Sequence, residues 1–125
     1  MLCDKNKTIL VVDDEVFYLD VMRDILEYEG YTVLTATGGH EAFDIVAENK
    51  IDLIITDIRM PKGDGVEFLL AVRKNNKEFP PIIMMSGFSL QEMSSLKDKG
   101  ADLVLKKPVD TEVLLSEILK FDTVS

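Results

Sequence analysis

Thr8-Ile9-Leu10-Val11-Val12-Asp13-Asp14 decides the fold: an apolar, β-branched run goes straight into two carboxylates. A continuous run of that kind is a strand buried on both faces, and it belongs in a parallel sheet with helices on either side. The period then changes. Tyr18, Val21, Met22, Ile25 and Leu26 fall at i, i+3, i+4, i+7 and i+8, one face of a helix from Val16 to Glu29. Gly30 stands where such a helix stops.

The alternation repeats along the chain. Tyr31-Thr32-Val33-Leu34 predicts a second strand and residues 39–49 a second helix. Leu53-Ile54-Ile55-Thr56 predicts a third strand, ending at Asp57. A loop with Pro61, Gly63 and Gly65 leads into a third helix from Val66 to Lys74. Pro80-Pro81 introduces Ile82-Ile83-Met84-Met85-Ser86, and Leu90 to Lys99 is a more polar helix closed by Gly100. Leu103-Val104-Leu105 is the last strand, and Thr111 to Phe121 the last helix, with Asp110 as its N-cap. Strict alternation of this kind predicts an α/β fold, a doubly wound five-stranded parallel sheet flanked by five helices, flavodoxin-like.

Composition bounds the function. The 125 residues carry 23 Asp or Glu against 14 Lys or Arg, a formal charge of −9, on a background that is 46% hydrophobic. That describes one globular domain, residues 1–125, with no basic face for nucleic acid. No apolar run approaches the roughly 20 residues that span a bilayer. The first residues lack the pattern of a secretion signal. Cys3 stands alone, which excludes an internal disulfide and a thiolate-rich metal site. A cytoplasmic location is expected, with no membrane partner.

Asp13, Asp14, Asp57, Ser86 and Lys107 each lie at the C-terminal end of a predicted strand. In an open parallel sheet those ends line one edge, where ligands bind, so the five are predicted to meet in one pocket. Three crowded carboxylates repel one another unless a cation neutralises them. With oxygen as the available ligand, Mg²⁺ or Mn²⁺ suits the site better than zinc. Lys107 and the Ser86 hydroxyl could each bind a phosphate oxygen, and a carboxylate can itself be a nucleophile that forms an acyl phosphate.

Val12-Asp13-Asp14-Glu15, Thr56-Asp57-Ile58-Arg59-Met60-Pro61 with Gly65, Met85-Ser86-Gly87 and Lys107-Pro108 together resemble the response-regulator receiver domain of two-component phosphorelays. The resemblance covers nearly the whole chain. It implies the strand order 2-1-3-4-5, which the alternation of elements alone leaves open. It implies Asp57 as phosphoacceptor for a phosphohistidine, Asp14 as a direct Mg²⁺ ligand, Asp13 acting largely through water, and the Arg59 backbone carbonyl as a further ligand. It implies that Ser86 and Lys107 bind the phosphoryl group and that the Lys107–Pro108 bond is cis. The implied partners are a sensor histidine kinase or phosphotransfer protein and a downstream effector domain or protein; a homodimer stays open. The chain would catalyse its own aspartyl phosphorylation and dephosphorylation without being a multi-turnover enzyme.

Departures from the family pattern carry expectations too. Val104 stands where many receivers have Tyr or Phe, which argues against a switch by rotation of an aromatic ring. Arg59 and Phe88 are bulky at positions that control water access, so slow hydrolysis of the acyl phosphate is expected. His40 reads as a solvated residue at a helix start, and Met22 and Met84 as packing residues. Met60 should anchor the acceptor loop. Two other classes compete. A phosphatase with an Asp nucleophile commonly has a second Asp two residues on, where this chain has Arg59. An interaction domain independent of phosphorylation leaves the acidic pocket without a purpose.

Overall fold

The computed structural model of the chain describes residues 7–58, 60, 64–86 and 90–124. In chain order the elements are β1 Thr8–Val12, α1 Val16–Tyr28, β2 Thr32–Ala36, α2 Gly39–Glu48, β3 Leu53–Asp57, α3 Gly65–Asn75, β4 Ile82–Ser86, α4 Leu90–Asp98, β5 Leu103–Lys106 and α5 Thr111–Val124. All neighbouring strands pair in parallel, in the order β2-β1-β3-β4-β5. The doubly wound α/β fold is therefore as expected.

The buried strands explain the two layers of helices. Alternate residues of β1 point to opposite faces. Leu10 and Val12 join Ile54, Ile82 and Met84 against α2, α3 and α4, through Ala42, Phe68, Leu69, Val72 and Leu96. Ile9 and Val11 join Ile55, Ile83 and Met85 against α1 and α5, through Leu19, Met22, Leu26, Leu114 and Ile118. Each strand thus fills both cores, which is why an alternating pattern is absent from the sequence. Among the described residues no helix is long and apolar enough to cross a membrane.

Two expectations need correction. The buried stripe of α1 is Leu19, Met22 and Leu26; Val21 is 37% exposed, and Tyr18 and Ile25 are half-buried. The helix is rotated toward Leu19 because Tyr18 turns its polar end to the sheet edge. β2 covers Thr32–Ala36, not 31–34, because β1 pairs with it from Thr8↔Thr32 to Val12↔Ala36. Tyr31 instead donates its N–H to the Leu26 carbonyl at the end of α1. Gly30 does close that helix, with φ 103°, a conformation that favours glycine. Asp110 caps α5 as expected, accepting from Glu112 N–H at 2.8 Å.

At the N-terminal edge of the sheet, side chains satisfy strand amides that the ladder leaves open. Asp52 accepts from Thr8 N–H and Asp102 from Ile82 N–H, both at 2.8 Å. The same Asp102 oxygen holds Arg73 at 2.8 Å, and Arg73 Nε donates to the Gly100 carbonyl at 2.9 Å. Arg73 is buried, so its charge needs this partner.

Candidate functional site

At the opposite edge, β1 runs out at Val12 and the chain turns. Asp13 N–H donates to the Ala36 carbonyl at 3.1 Å, and Asp13 Oδ1 accepts from Glu15 N–H at 2.9 Å. Both bonds fix the carboxylate above the sheet. Asp57 is the last residue of β3 and is buried. Its Oδ1 accepts from Ile58 N–H at 2.7 Å, and its Oδ2 accepts from Lys107 Nζ at 2.8 Å. Lys107 follows β5, half-exposed, and its bond to Pro108 is cis as the resemblance implies.

The structure brings Asp13, Asp14, Asp57 and Lys107 together. Carboxylate oxygens of the three acids lie within 4.8 Å of one another, two of the residues buried and Asp14 exposed. Ser86 ends β4 at the same edge, its backbone paired with Lys106; its side chain lies outside the described residues, as do Arg59, Phe88 and Cys3. Met60, expected to anchor the loop after Asp57, is buried in the core; residues 59 and 61–63 of that loop lie outside the described residues. His40 is exposed on the first turn of α2, and Val104 is buried against the α4 side of the sheet.

Burial pushes the Asp13 carboxyl above its ordinary 3.8. The Glu15 N–H opposes that rise, Asp57 and Asp14 add to it by repulsion, and Lys107 partly offsets them. Asp13 therefore stores electrostatic strain in the metal-free protein. Because its folded-state pKa is the higher one, the folded chain gains stability as pH falls from neutral through that raised value toward 3.8. We expect Asp13→Asn to raise the melting temperature of the metal-free protein by about 3–5 °C at neutral pH and to flatten this acid-side gain. The Asn side-chain oxygen can still accept the Glu15 N–H. Calorimetry in EDTA across pH checks both effects.

Three contributors carry no assigned role in the sequence: Tyr18 reads only as part of a helix face, and Thr56 and Gly65 only as members of the motif around Asp57. Tyr18 donates its hydroxyl to Met85 Sδ at 3.4 Å and, with Asp13, Glu15, Lys107 and Val109, lines a cavity of about 240 Å³. Burial, then the charges of Asp13 and Asp57, push its phenol up to about 12, so it stays protonated as a donor. Nothing in the helical pattern separates such a tyrosine from a core one. Thr56 is fully buried and donates its hydroxyl to the Asp57 carbonyl at 2.8 Å.

Gly65 is the third. Its N–H donates to the Ile58 carbonyl at 2.8 Å. A Cβ there would run into the Asp57 carbonyl oxygen and stand 2.9 Å from Ile58 Cα. Backbone cannot swing aside as a side chain can. Gly65→Ala should therefore cost about 1–3 kcal/mol in urea unfolding, as overpacking does, with Asp57 displaced. An unchanged midpoint would show that the loop yields freely.

The family described as response regulator receiver domain matches residues 9–119. A curated relative, response regulator MprA of Mycobacterium sp. (strain KMS), is 36% identical over 110 residues, 88% of this chain. The chain spans about half the length of that relative, 48%. A CheY-like receiver domain protein of Methanospirillum hungatei JF-1 superposes with TM-score 0.85 at 34% identity, covering 94% of each chain. The CheX–CheY–BeF3–Mg complex from Borrelia burgdorferi gives TM-score 0.84 at 30% identity, covering 91% of this chain and 87% of that one.

Proposed function

Because the chain belongs to the family of response-regulator receiver domains, the phosphoacceptor modules of two-component systems, we propose that Asp57 is its acceptor and that residues 1–125 form one such domain. The observation that carries this is a buried carboxylate with a lysine 2.8 Å from one oxygen and two further carboxylates beside it. A receiver is a signalling module, and the output of this one is a changed protein-binding face.

The chemistry follows from the neighbours. An Asp57 oxygen attacks the phosphorus of a phosphohistidine; the P–N bond breaks, a P–O bond forms and the imidazole leaves. Lys107 exchanges its carboxylate contact for an oxygen of the arriving group, and Ser86 binds another. Asp13, Asp14, Asp57 and the Arg59 carbonyl are the residues to hold Mg²⁺, with Mn²⁺ as substitute. The all-oxygen donor set and the raised Asp13 carboxyl fit such an ion. When bound, it supplies charge neutralisation for the phosphoryl oxygens. The similar Borrelia burgdorferi complex is one of CheX and CheY with BeF3 and Mg, which supports this choice. Release of the phosphoryl group needs water at the acyl phosphate, which Arg59 and Phe88 slow. A sensor histidine kinase or phosphotransfer protein is the donor and an effector domain or protein the recipient of the signal, in the cytoplasm.

Intact-mass measurement after incubation with Mg²⁺ and a small phosphodonor tests this. One phosphoryl addition is expected, retained with Mn²⁺ and lost in EDTA. Sustained turnover of phosphate esters would instead indicate a phosphatase. No addition, with beryllofluoride also failing to bind, would leave a phosphorylation-independent interaction domain.

A further inference from the structure

A groove between α2 and α3 takes no part in this chemistry, and it lies on the face of the sheet away from α1 and α5. At its upper end, beside the starts of both helices, His40, Asp44, Asp64 and Glu67 surround a cavity of about 390 Å³ that Phe43 and Phe68 also line. At its lower end Phe43 recurs, with Val46, Val72, Phe79 and Pro80, around about 170 Å³ that no charged residue lines among those described. Phe79 is 42% exposed. The two cavities adjoin at Phe43, the upper one acidic and the lower one lined by apolar side chains together with Asn75 and Asn76.

The charge at the upper end is decisive. Three carboxylates line it, and among the described residues no Lys or Arg does. Each helix start contributes about half a positive charge, and even with a protonated His40 these do not cancel three acids. Asp64 commits one oxygen to the Val66 N–H, at 2.6 Å, but keeps its charge. Hydrophobic grooves take the apolar stripe of an amphipathic helix. The ten residues of α2 span about 15 Å, so three turns of a partner match it, with apolar side chains at i, i+3 or i+4, and i+7.

We propose that the α2–α3 groove docks an amphipathic helix of another protein, its apolar stripe filling the lower cavity from Phe43 to Phe79 and its Lys or Arg residues lying against Asp44, Asp64 and Glu67. This goes beyond the phosphoacceptor function and is independent of it.

The test uses the full chain without Mg²⁺ or phosphodonor, so its outcome does not depend on Asp57 chemistry. The probes are two synthetic peptides of about 18 residues, long enough to become helical. They share a Leu stripe; one is flanked by Lys and the other by Glu. Titration followed by amide NMR should show the Lys peptide perturbing α2 and α3, with the Glu peptide binding at least about 10-fold more weakly. Asp44→Lys with Glu67→Lys, both at exposed positions, should weaken the Lys peptide roughly 10-fold and strengthen the Glu peptide. Ala47→Glu places a charge in the apolar end and should weaken both peptides. Equal affinity for the two peptides, perturbations confined to α1, α4 or α5, or no binding of either would overturn the proposal.

Discussion

Asp57→Asn is expected to abolish phosphoryl uptake, by at least about 100-fold in rate, in Mg²⁺ with a small phosphodonor. The substitution is close to isosteric. The Asn oxygen can still accept the Ile58 N–H that Asp57 Oδ1 takes at 2.7 Å, so the end of β3 keeps its geometry. What disappears is the anionic nucleophile. Asp13 is not placed to replace it, because Lys107 Nζ donates to Asp57 Oδ2 and the Asp13 carboxylate is one of those proposed to hold Mg²⁺. Mass spectrometry reads the loss, and an unchanged circular dichroism spectrum separates it from unfolding. Full uptake by the variant would place the acceptor on another residue.

Lys107→Ala is expected to have the second largest effect, slowing phosphoryl uptake by about 10²–10³-fold, as loss of one fixed positive donor at a developing charge does. The lysine reaches Asp57 Oδ2 at 2.8 Å while its side chain stays 41% exposed. It is therefore free to follow charge from the carboxylate to the phosphoryl oxygens without crossing packed core. Its truncation also leaves Asp57 to face Asp13 and Asp14 without this cation. Increasing Mg²⁺ should recover only part of the rate, because an ion held by Asp13, Asp14 and Asp57 would not supply the hydrogen-bond donor that Lys107 places at Asp57 Oδ2. Single-turnover kinetics against Mg²⁺ concentration checks this; a rate within about threefold of wild type would remove Lys107 from the mechanism.

The fold was legible because β1, β3, β4 and β5 are written as apolar runs that end in or next to a polar or charged residue. Ile9 to Val12 can be buried on both faces only in a covered parallel sheet, and the abrupt Asp13-Asp14 marks the edge where it stops. The site was legible for the same reason: Asp57 and Lys107 sit at strand ends, and the topology brings such ends together. What stayed hidden depends on rotation and close approach. The face of α1 was misjudged because Tyr18 and Leu19 are both apolar enough to belong to a core, and only the sheet edge decides between them. Gly65 belongs to the motif around Asp57, but the reason it is glycine shows only where its carbon lies against the Asp57 carbonyl. β2 reaches Ala36 because pairing with β1 carries it there, and pairing leaves no trace in a single strand's composition.

The bond set around Asp102 has a consequence for how this chain takes substitutions. β4 is clamped at Ile82, where Asp102 takes both its amide and Arg73, and it reaches the signalling edge four residues later, about 13 Å away. One strand is thus anchored at its tail, while its tip carries Ser86, the residue proposed to bind the phosphoryl group. Substitutions at Arg73 or Asp102 are therefore expected to act on stability at the anchor, apart from the edge that carries Asp57 and Lys107.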